Sequence, residues 1–216
     1  RYLAVFLLLL APLGLRAQQV LYMASESGSL SSLYQVNPQT AATTLIGQIF
    51  IDGSTPAPVT ALAFHPITGV LYGVTGNEYD IDRVLFTINT STAQATSIGV
   101  IGTTSIEGVS DIAFAADGTL YGWTVRGGPL VSINLSDAAR TVIGSASNGT
   151  KGNGLAITPS GTVYVVGPVA TGGLYSVNTS TGALTSVAMI SNVPINFGSS
   201  TLTSQLINAM TSDANG

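Results

Sequence analysis

The densest group of residues able to do chemistry is the acidic stretch from Asn77 to Arg83. It carries the carboxylates of Glu78, Asp80 and Asp82 close together in the chain. Ca²⁺ takes about six to eight oxygen ligands in a flexible geometry, so this stretch predicts a calcium site. The stretch lacks the Gly and the closing Glu of a standard calcium loop, and a solvated hairpin tip is the alternative interpretation.

The other candidate residues stand alone. His65 is the only histidine, which excludes a zinc site built on several histidines. Ala115 and Thr158 hold its place in other copies of the repeat described next, so we interpret it as a turn residue. Trp123 is predicted either to fill the core or to form an aromatic platform for a ligand, flanked by Arg126. We identify no catalytic residue and no cofactor site.

A pair of strands recurs along the chain at a spacing of about 45 residues, which indicates a repeat architecture. Each copy has a short apolar strand, a turn closed by Gly, and a second strand rich in β-branched and aromatic residues. Gly supplies the positive φ that such a turn needs, so each copy predicts a β-hairpin. The first strands with their turns span 59–69, 109–118 and 152–161, and the second strands span 70–74, 119–123 and 162–166.

Two more strands complete each copy. The third strand ends in Asn, whose side chain can bond the backbone two residues on and start a turn into a Thr-rich fourth strand. Four strands per repeat predict the blade of an all-β propeller. The third strands span 33–37, 84–89, 130–134 and 174–178, and the fourth strands span 43–49, 95–101, 141–145 and 184–190.

Two segments resemble the secreted bacterial β-propellers of the YVTN and NHL-like type. They are DIAFAADGTLY at 111–121 and LYSVNTSTG at 174–182. The resemblance extends over nearly all of the chain after residue 19 and implies the propeller fold. It implies little about function, because such blades serve adhesive, scaffold and enzymatic roles alike. Members with lactonase or quinoprotein activity carry metal- or cofactor-binding residues at the channel mouth, and no such set is recognisable here.

The number of blades depends on how the two ends of the chain are interpreted. The first strand after the leader matches a second strand, whereas residues 206–216 match a first strand and its turn. We therefore expect three complete blades and one that is split between the termini. The chain would then be a four-bladed ring or part of a six- to eight-bladed propeller, and we favour the second because both ends look cut.

The first residues and the composition point to export. Arg1 precedes an apolar run, and Ala17 offers a cleavage point, so we expect residues 1–17 to be a signal peptide and 18–216 to be the propeller domain, incomplete at its C-terminus. The apolar run is short for a membrane span, although an N-terminal anchor is the alternative. Localisation is expected to be secreted, periplasmic or at the cell surface.

Charge and cysteine content exclude some functions. Without Arg1 and Arg16 the chain has four basic residues against ten acidic ones, which argues against nucleic-acid binding. It has no Cys, so the fold depends on packing and not on disulfides. We expect a non-enzymatic module that binds a protein or glycan. The alternatives are a lactonase-type enzyme with a divalent metal at the channel, and a structural spacer of a larger adhesin.

The preference for a larger propeller generates a direct test. Deletion of residues 206–216 should leave the thermal unfolding of 18–216 nearly unchanged, because these residues would have no blade to complete. Circular dichroism and light scattering measure the outcome. Loss of the cooperative transition would instead indicate that the ends complete one blade together.

Overall fold

The computed structural model describes residues 20–27, 30–76, 83–102, 108–124, 129–144, 154–166, 173–189, 196–197 and 200–201. The regular structure in these ranges is entirely β, and it forms a four-bladed propeller arrangement of antiparallel sheets. In these ranges there is no helix long and apolar enough to cross a bilayer. The predicted all-β propeller fold is therefore confirmed.

The first two sheets contain the strands β1 to β9. The first sheet has three described strands in the order β1-β2-β3, and the second has the order β6-β7-β8-β9 with a short extension on β9. In that extension β4 runs parallel to β9, and the sequence did not predict it. The strands are β1 (Leu21–Ser27), β2 (Leu30–Val36), β3 (Thr43–Gln48), β4 (Phe50–Ile51), β5 (Thr55–Pro56), β6 (Val59–Phe64), β7 (Leu71–Thr75), β8 (Val84–Ile88) and β9 (Gln94–Val100).

The remaining strands form two complete blades and one hairpin. The blades have the strand orders β10-β11-β12-β13 and β14-β15-β16-β17, so all three blades predicted to be complete have four strands. The segment 206–216, predicted to complete the first blade, lies outside the described residues. The strands are β10 (Val109–Phe114), β11 (Leu120–Thr124), β12 (Leu130–Ile133), β13 (Arg140–Ile143), β14 (Leu155–Ile157), β15 (Val163–Val166), β16 (Gly173–Val177), β17 (Leu184–Met189), β18 (Asn196–Phe197) and β19 (Ser200–Thr201).

Apolar side chains fill the space between neighbouring blades. Alternate residues of a strand point to opposite faces, so a blade with two neighbours buries both faces. In β8, for example, Phe86 joins the cluster shared with the first blade, while Leu85 joins the cluster shared with the third. Trp123 and Leu155 belong to the cluster between the third and fourth blades. The sequence of β8 is accordingly apolar at every position except Thr87.

The turns between third and fourth strands follow one design. The side-chain oxygen of Asn37 accepts a hydrogen bond from the backbone N–H of Gln39, and Asn89, Asn134 and Asn178 make the same bond two residues on. These bonds confirm the predicted role of the Asn. The fourth residue after each Asn has a positive φ, and the residues there are Ala41, Ala93, Ala138 and Gly182.

Because each blade is an antiparallel meander, its connections alternate between the two ends of the propeller. At one end, the turn end, lie the connections from first to second and from third to fourth strands, which have nearly the same length in every blade. At the other end, the loop end, lie the connections from second to third strands and those between blades. The second-to-third connections vary in length, from the two residues between β1 and β2 to the long one between β7 and β8.

The turn geometry predicts that Ala41→Gly stabilises the protein. Ala41 is exposed and has a φ of 56°, a conformation that costs an L-residue about 1–2 kcal/mol and costs Gly little. The gain should be below that value, because Gly also loses more backbone entropy on folding. Denaturant unfolding measures it. The neighbouring Ala42→Gly is the control, since Ala42 has no positive φ and its replacement should only destabilise; a loss of stability in Ala41→Gly would contradict the prediction.

Candidate functional site

A cavity of about 700 Å³ lies where the inner strands of the blades meet. Its described walls come from β1, β6, β10 and β14, and within the array β10 packs against both β6 and β14. The strands β7, β11 and β15 each have an inner strand between themselves and the centre. β1 is the second strand of the first blade. No inner strand covers it among the described residues, so β1 itself lines the cavity.

Most of the side chains on the cavity wall are apolar or aromatic. They include Tyr22 and Met23 from β1, Phe64 from β6, and Phe114 from β10. Met23 and Phe64 are about two-fifths exposed, which is unusual for large apolar side chains. The only carboxyl group in the described lining is that of Asp111 in β10. The cavity is therefore an apolar site with one acid in its wall.

The backbone of β10 positions Asp111. The pairing of β10 with β11 shifts register between Val109 and Asp111, and the hydroxyl of Ser110 donates to the carbonyl oxygen of Trp123 at 2.9 Å. Such a bulge changes the direction in which the following side chain points. The second blade has the same shift after Val59, but Ala61 stands in the place of the acid.

The carboxylate of Asp111 joins two blades. Its Oδ1 accepts a hydrogen bond from the backbone N–H of Ile112 at 2.9 Å, and its Oδ2 accepts one from the N–H of Leu155 in β14 at 2.8 Å. The side chain is only 8% exposed. Bonds from backbone N–H groups stabilise a carboxylate, and the bond to Leu155 also ties the inner strand of the fourth blade to that of the third.

Burial raises the pKa of Asp111 to about 7, although the bonds from Leu155 and Ile112 act in the opposite direction. Desolvation disfavours the charged form of an acid, and here it outweighs the two hydrogen bonds. Within the part of the chain that the structure describes, no charged side chain contributes to this shift. The carboxyl therefore changes its charge near neutral pH, unlike an ordinary surface aspartate.

An aromatic cluster lies where the cavity approaches the turn end. The ring of Tyr22 meets Phe64 at 5.5 Å, and the ring of Tyr72 meets Phe114 at 5.3 Å, both edge to face. In each pair a Tyr from a second strand contacts a Phe from the inner strand of the next blade. Edge-to-face pairs add to the stability that burial provides. The sequence showed aromatic residues in the second strands but not their partners in the next blade.

His65 is a turn residue, as predicted. Its Nδ1 accepts hydrogen bonds from the backbone N–H groups of Ile67 at 3.2 Å and Thr68 at 3.3 Å, so it takes the role that Asn has in the other turns. The ring also packs on Phe114 with 4.9 Å between centroids. These contacts account for the histidine in structural terms.

Trp123 is fully buried in the cluster between the third and fourth blades, in agreement with the core interpretation. Its Nε1 has no hydrogen-bond partner in the structure. Arg126, and the predicted calcium ligands Glu78, Asp80 and Asp82, lie outside the described residues. Ligand binding by Trp123 and Arg126 and calcium binding by the acidic stretch stay predictions. Within the described ranges there is no group of three or more His, Cys, Asp or Glu side chains that could hold a metal.

Buried hydroxyl groups near the loop end were not predicted. Ser31 Oγ accepts from the N–H of Val59 at 2.9 Å, and Thr75 Oγ1 accepts from that of Val84 at 2.9 Å. Thr124 in the third blade lies where Thr75 lies in the second, and its hydroxyl donates to the carbonyl of Pro129 at 2.8 Å. These bonds satisfy backbone groups where strands give way to connections.

Comparison with known proteins identifies the family. A family model described as a repeat of unknown function, DUF6923, matches residues 21–205. The chain belongs to this family. No curated protein matches it.

Solved structures that are similar to this DUF6923 chain share its fold. A protein of unknown function from Bacteroides thetaiotaomicron has a TM-score of 0.63 at 17% identity over 79% of this chain and 45% of its own. A chain of a nidogen/laminin complex has a TM-score of 0.59 at 12% identity, covering 82% and 64%. Virginiamycin B lyase from Staphylococcus aureus has 0.51 at 12%, covering 82% and 57%. The chain thus spans about half to two-thirds of the length of these structures.

The environment of Asp111 predicts how stability depends on pH. In the unfolded chain the carboxyl ionises near the ordinary pKa of 3.8, whereas in the fold it keeps its proton until about 7. The folded state therefore binds more protons between these values, so its stability falls as the pH rises through this window and levels off above it. The melting temperature should be lower at pH 8 than at pH 5.

Two variants test whether Asp111 causes this effect. Asp111→Asn should lose much of the pH dependence, and Asp111→Ala should cost about 1–3 kcal/mol because the N–H of Leu155 loses its acceptor. Asp117→Asn is the control. Asp117 is exposed and its pKa is lowered, first by the bond from the backbone of Thr119, so it does not titrate between pH 5 and 8. Equal pH dependence in wild type and Asp111→Asn would contradict the assignment.

Proposed function

We propose that this DUF6923 protein is a secreted or cell-surface propeller that binds a protein or glycan through its loop end without altering it chemically. The observation that carries the proposal is the difference between the two ends. The turn end repeats one hydrogen-bonded design from blade to blade. The loop end carries connections of unequal length on strands fixed by packing, and recognition in rigid β scaffolds commonly uses such connections.

The chemistry of the cavity supports a binding role over catalysis. Acid–base and nucleophilic mechanisms need at least two cooperating polar groups, or a metal with its ligands. The described lining has one carboxyl group, that of Asp111, and no His, Lys or Arg side chain beside it. The fold itself does not decide the question, because similar propellers are found in proteins as different as a nidogen/laminin complex and a lyase.

Binding by the loop end can be tested with residues 18–216 on a glycan microarray and on a random peptide library. We expect a selective ligand whose binding Arg126→Ala weakens at least tenfold, corresponding to about 1.4 kcal/mol. Arg140→Ala is the control, since Arg140 lies on the outer strand β13 and the variant removes the same charge elsewhere. The bound ligand should be recovered unchanged by mass spectrometry.

The enzyme alternative predicts the opposite result for the same protein, namely that a bound substrate is converted. A lactonase-type activity would require a divalent metal, and Glu78, Asp80 and Asp82 are its sequence candidates. Calcium-dependent turnover of a lactone that Asp80→Asn abolishes would overturn the binding proposal. The binding proposal instead predicts that the ligand is recovered unchanged and raises the melting temperature of the protein. It also predicts that calcium leaves the melting temperature unchanged.

A further inference from the structure

The central cavity combines three features that suit one kind of ligand. It has large apolar side chains on β1 and β6, aromatic rings on β1, β6 and β10, and a single buried acid on β10. An apolar wall favours a hydrophobic body, and aromatic faces and a carboxylate both attract a cation. All three features belong to residues that line the same cavity.

The carboxylate of Asp111 has hydrogen-bonding capacity to spare. A carboxylate offers about four lone-pair sites, and the backbone N–H groups of Ile112 and Leu155 use one on each oxygen. A buried acid with unused acceptor sites favours a donor that also carries positive charge, because such bonds are about twice as strong as neutral ones.

No cation of the protein faces Asp111 among the described residues. The strands packed against β10 are β6, β7, β11 and β14. Their only titratable side chains are the phenols of Tyr72 and Tyr121. His65 follows β6 but contacts Phe114, three residues along β10 from the acid. A ligand's ammonium group would place a positive charge beside Asp111.

The apolar part of the cavity fits the other half of such a ligand. Met23 is 40% exposed and Phe64 is 41% exposed, and both line the cavity. Covering them removes apolar surface from water, which favours binding of a hydrophobic body. The rings of Tyr22, Phe64 and Phe114 add aromatic surface to the lining of the same cavity.

We propose that the central cavity binds a small primary amine with an apolar body, its ammonium group on Asp111 and its body against β1 and β6. This site is distinct from the loop-end surface and does not depend on it. Ionised Asp111 is the binding form, so affinity rises with pH through neutrality, as the carboxyl loses its proton while the amine keeps its own.

The test compares 4-phenylbutylamine with 4-phenyl-1-butanol, which have the same apolar body and differ in the cationic group. Isothermal titration of residues 18–216 at pH 8 should show the amine binding at least about tenfold more tightly than the alcohol. At pH 6 the preference for the amine should shrink. In Asp111→Asn it should disappear, whereas Asp117→Asn should behave as wild type, since that exposed acid lies in the turn after β10.

Three results would overturn the proposal: equal affinity for amine and alcohol in the wild type, no binding of either probe, or an amine preference that survives in Asp111→Asn. If Asp111→Asn does not fold, Ala63→Leu replaces it. Ala63 lines the cavity from β6, so the larger side chain should weaken both probes; undiminished binding would place them elsewhere and overturn the site. The glycan and peptide arrays test binding at the loop end, not in the cavity, so either proposal can fail without the other.

Discussion

Apolar packing between neighbouring blades is the interaction on which the rest of the structure depends. Each of the three described interfaces between consecutive blades has its own cluster of buried side chains. Phe86, Leu120 and Leu155, one from each cluster, are almost inaccessible to solvent. The chain has no cysteine, so no covalent cross-link shares this role. A blade with neighbours on both sides buries both of its faces. Removing such a blade would therefore expose the apolar surfaces of its two neighbours.

The repeat allowed the fold to be predicted in detail, because the same sequence pattern occurs independently in each blade. The Asn that ends the third strand and the Gly after the first strand recur, and every copy of the pattern strengthens the assignment of the others. The predicted fourth strands differ from the observed ones by a few terminal residues. The pairing of β4 with β9 was missed because it follows no repeat: Phe50 and Ile51 belong to a connection, and only the tertiary structure shows what they pair with.

The candidate site was harder to predict for the same reason. Asp111 was read as part of a matching motif, yet the signal lay in its departure from the other copies, where Ala61 and Gly154 stand in its place. The sequence gives no measure of burial, and burial is what moves the pKa of Asp111 toward neutrality. The roles of Ser31 and Thr75 also depend on distant backbone groups that no local pattern indicates.

The unequal ends of the propeller have a consequence for its evolution. The hydrogen bonds of the turn end and the apolar clusters between blades fix the strands without help from the second-to-third connections, none of whose described residues belongs to those clusters. Insertions and substitutions in those connections can therefore accumulate with little effect on folding. A scaffold of this kind can acquire new specificities by mutation while its architecture is inherited unchanged, and it would equally accept grafted recognition segments in the laboratory.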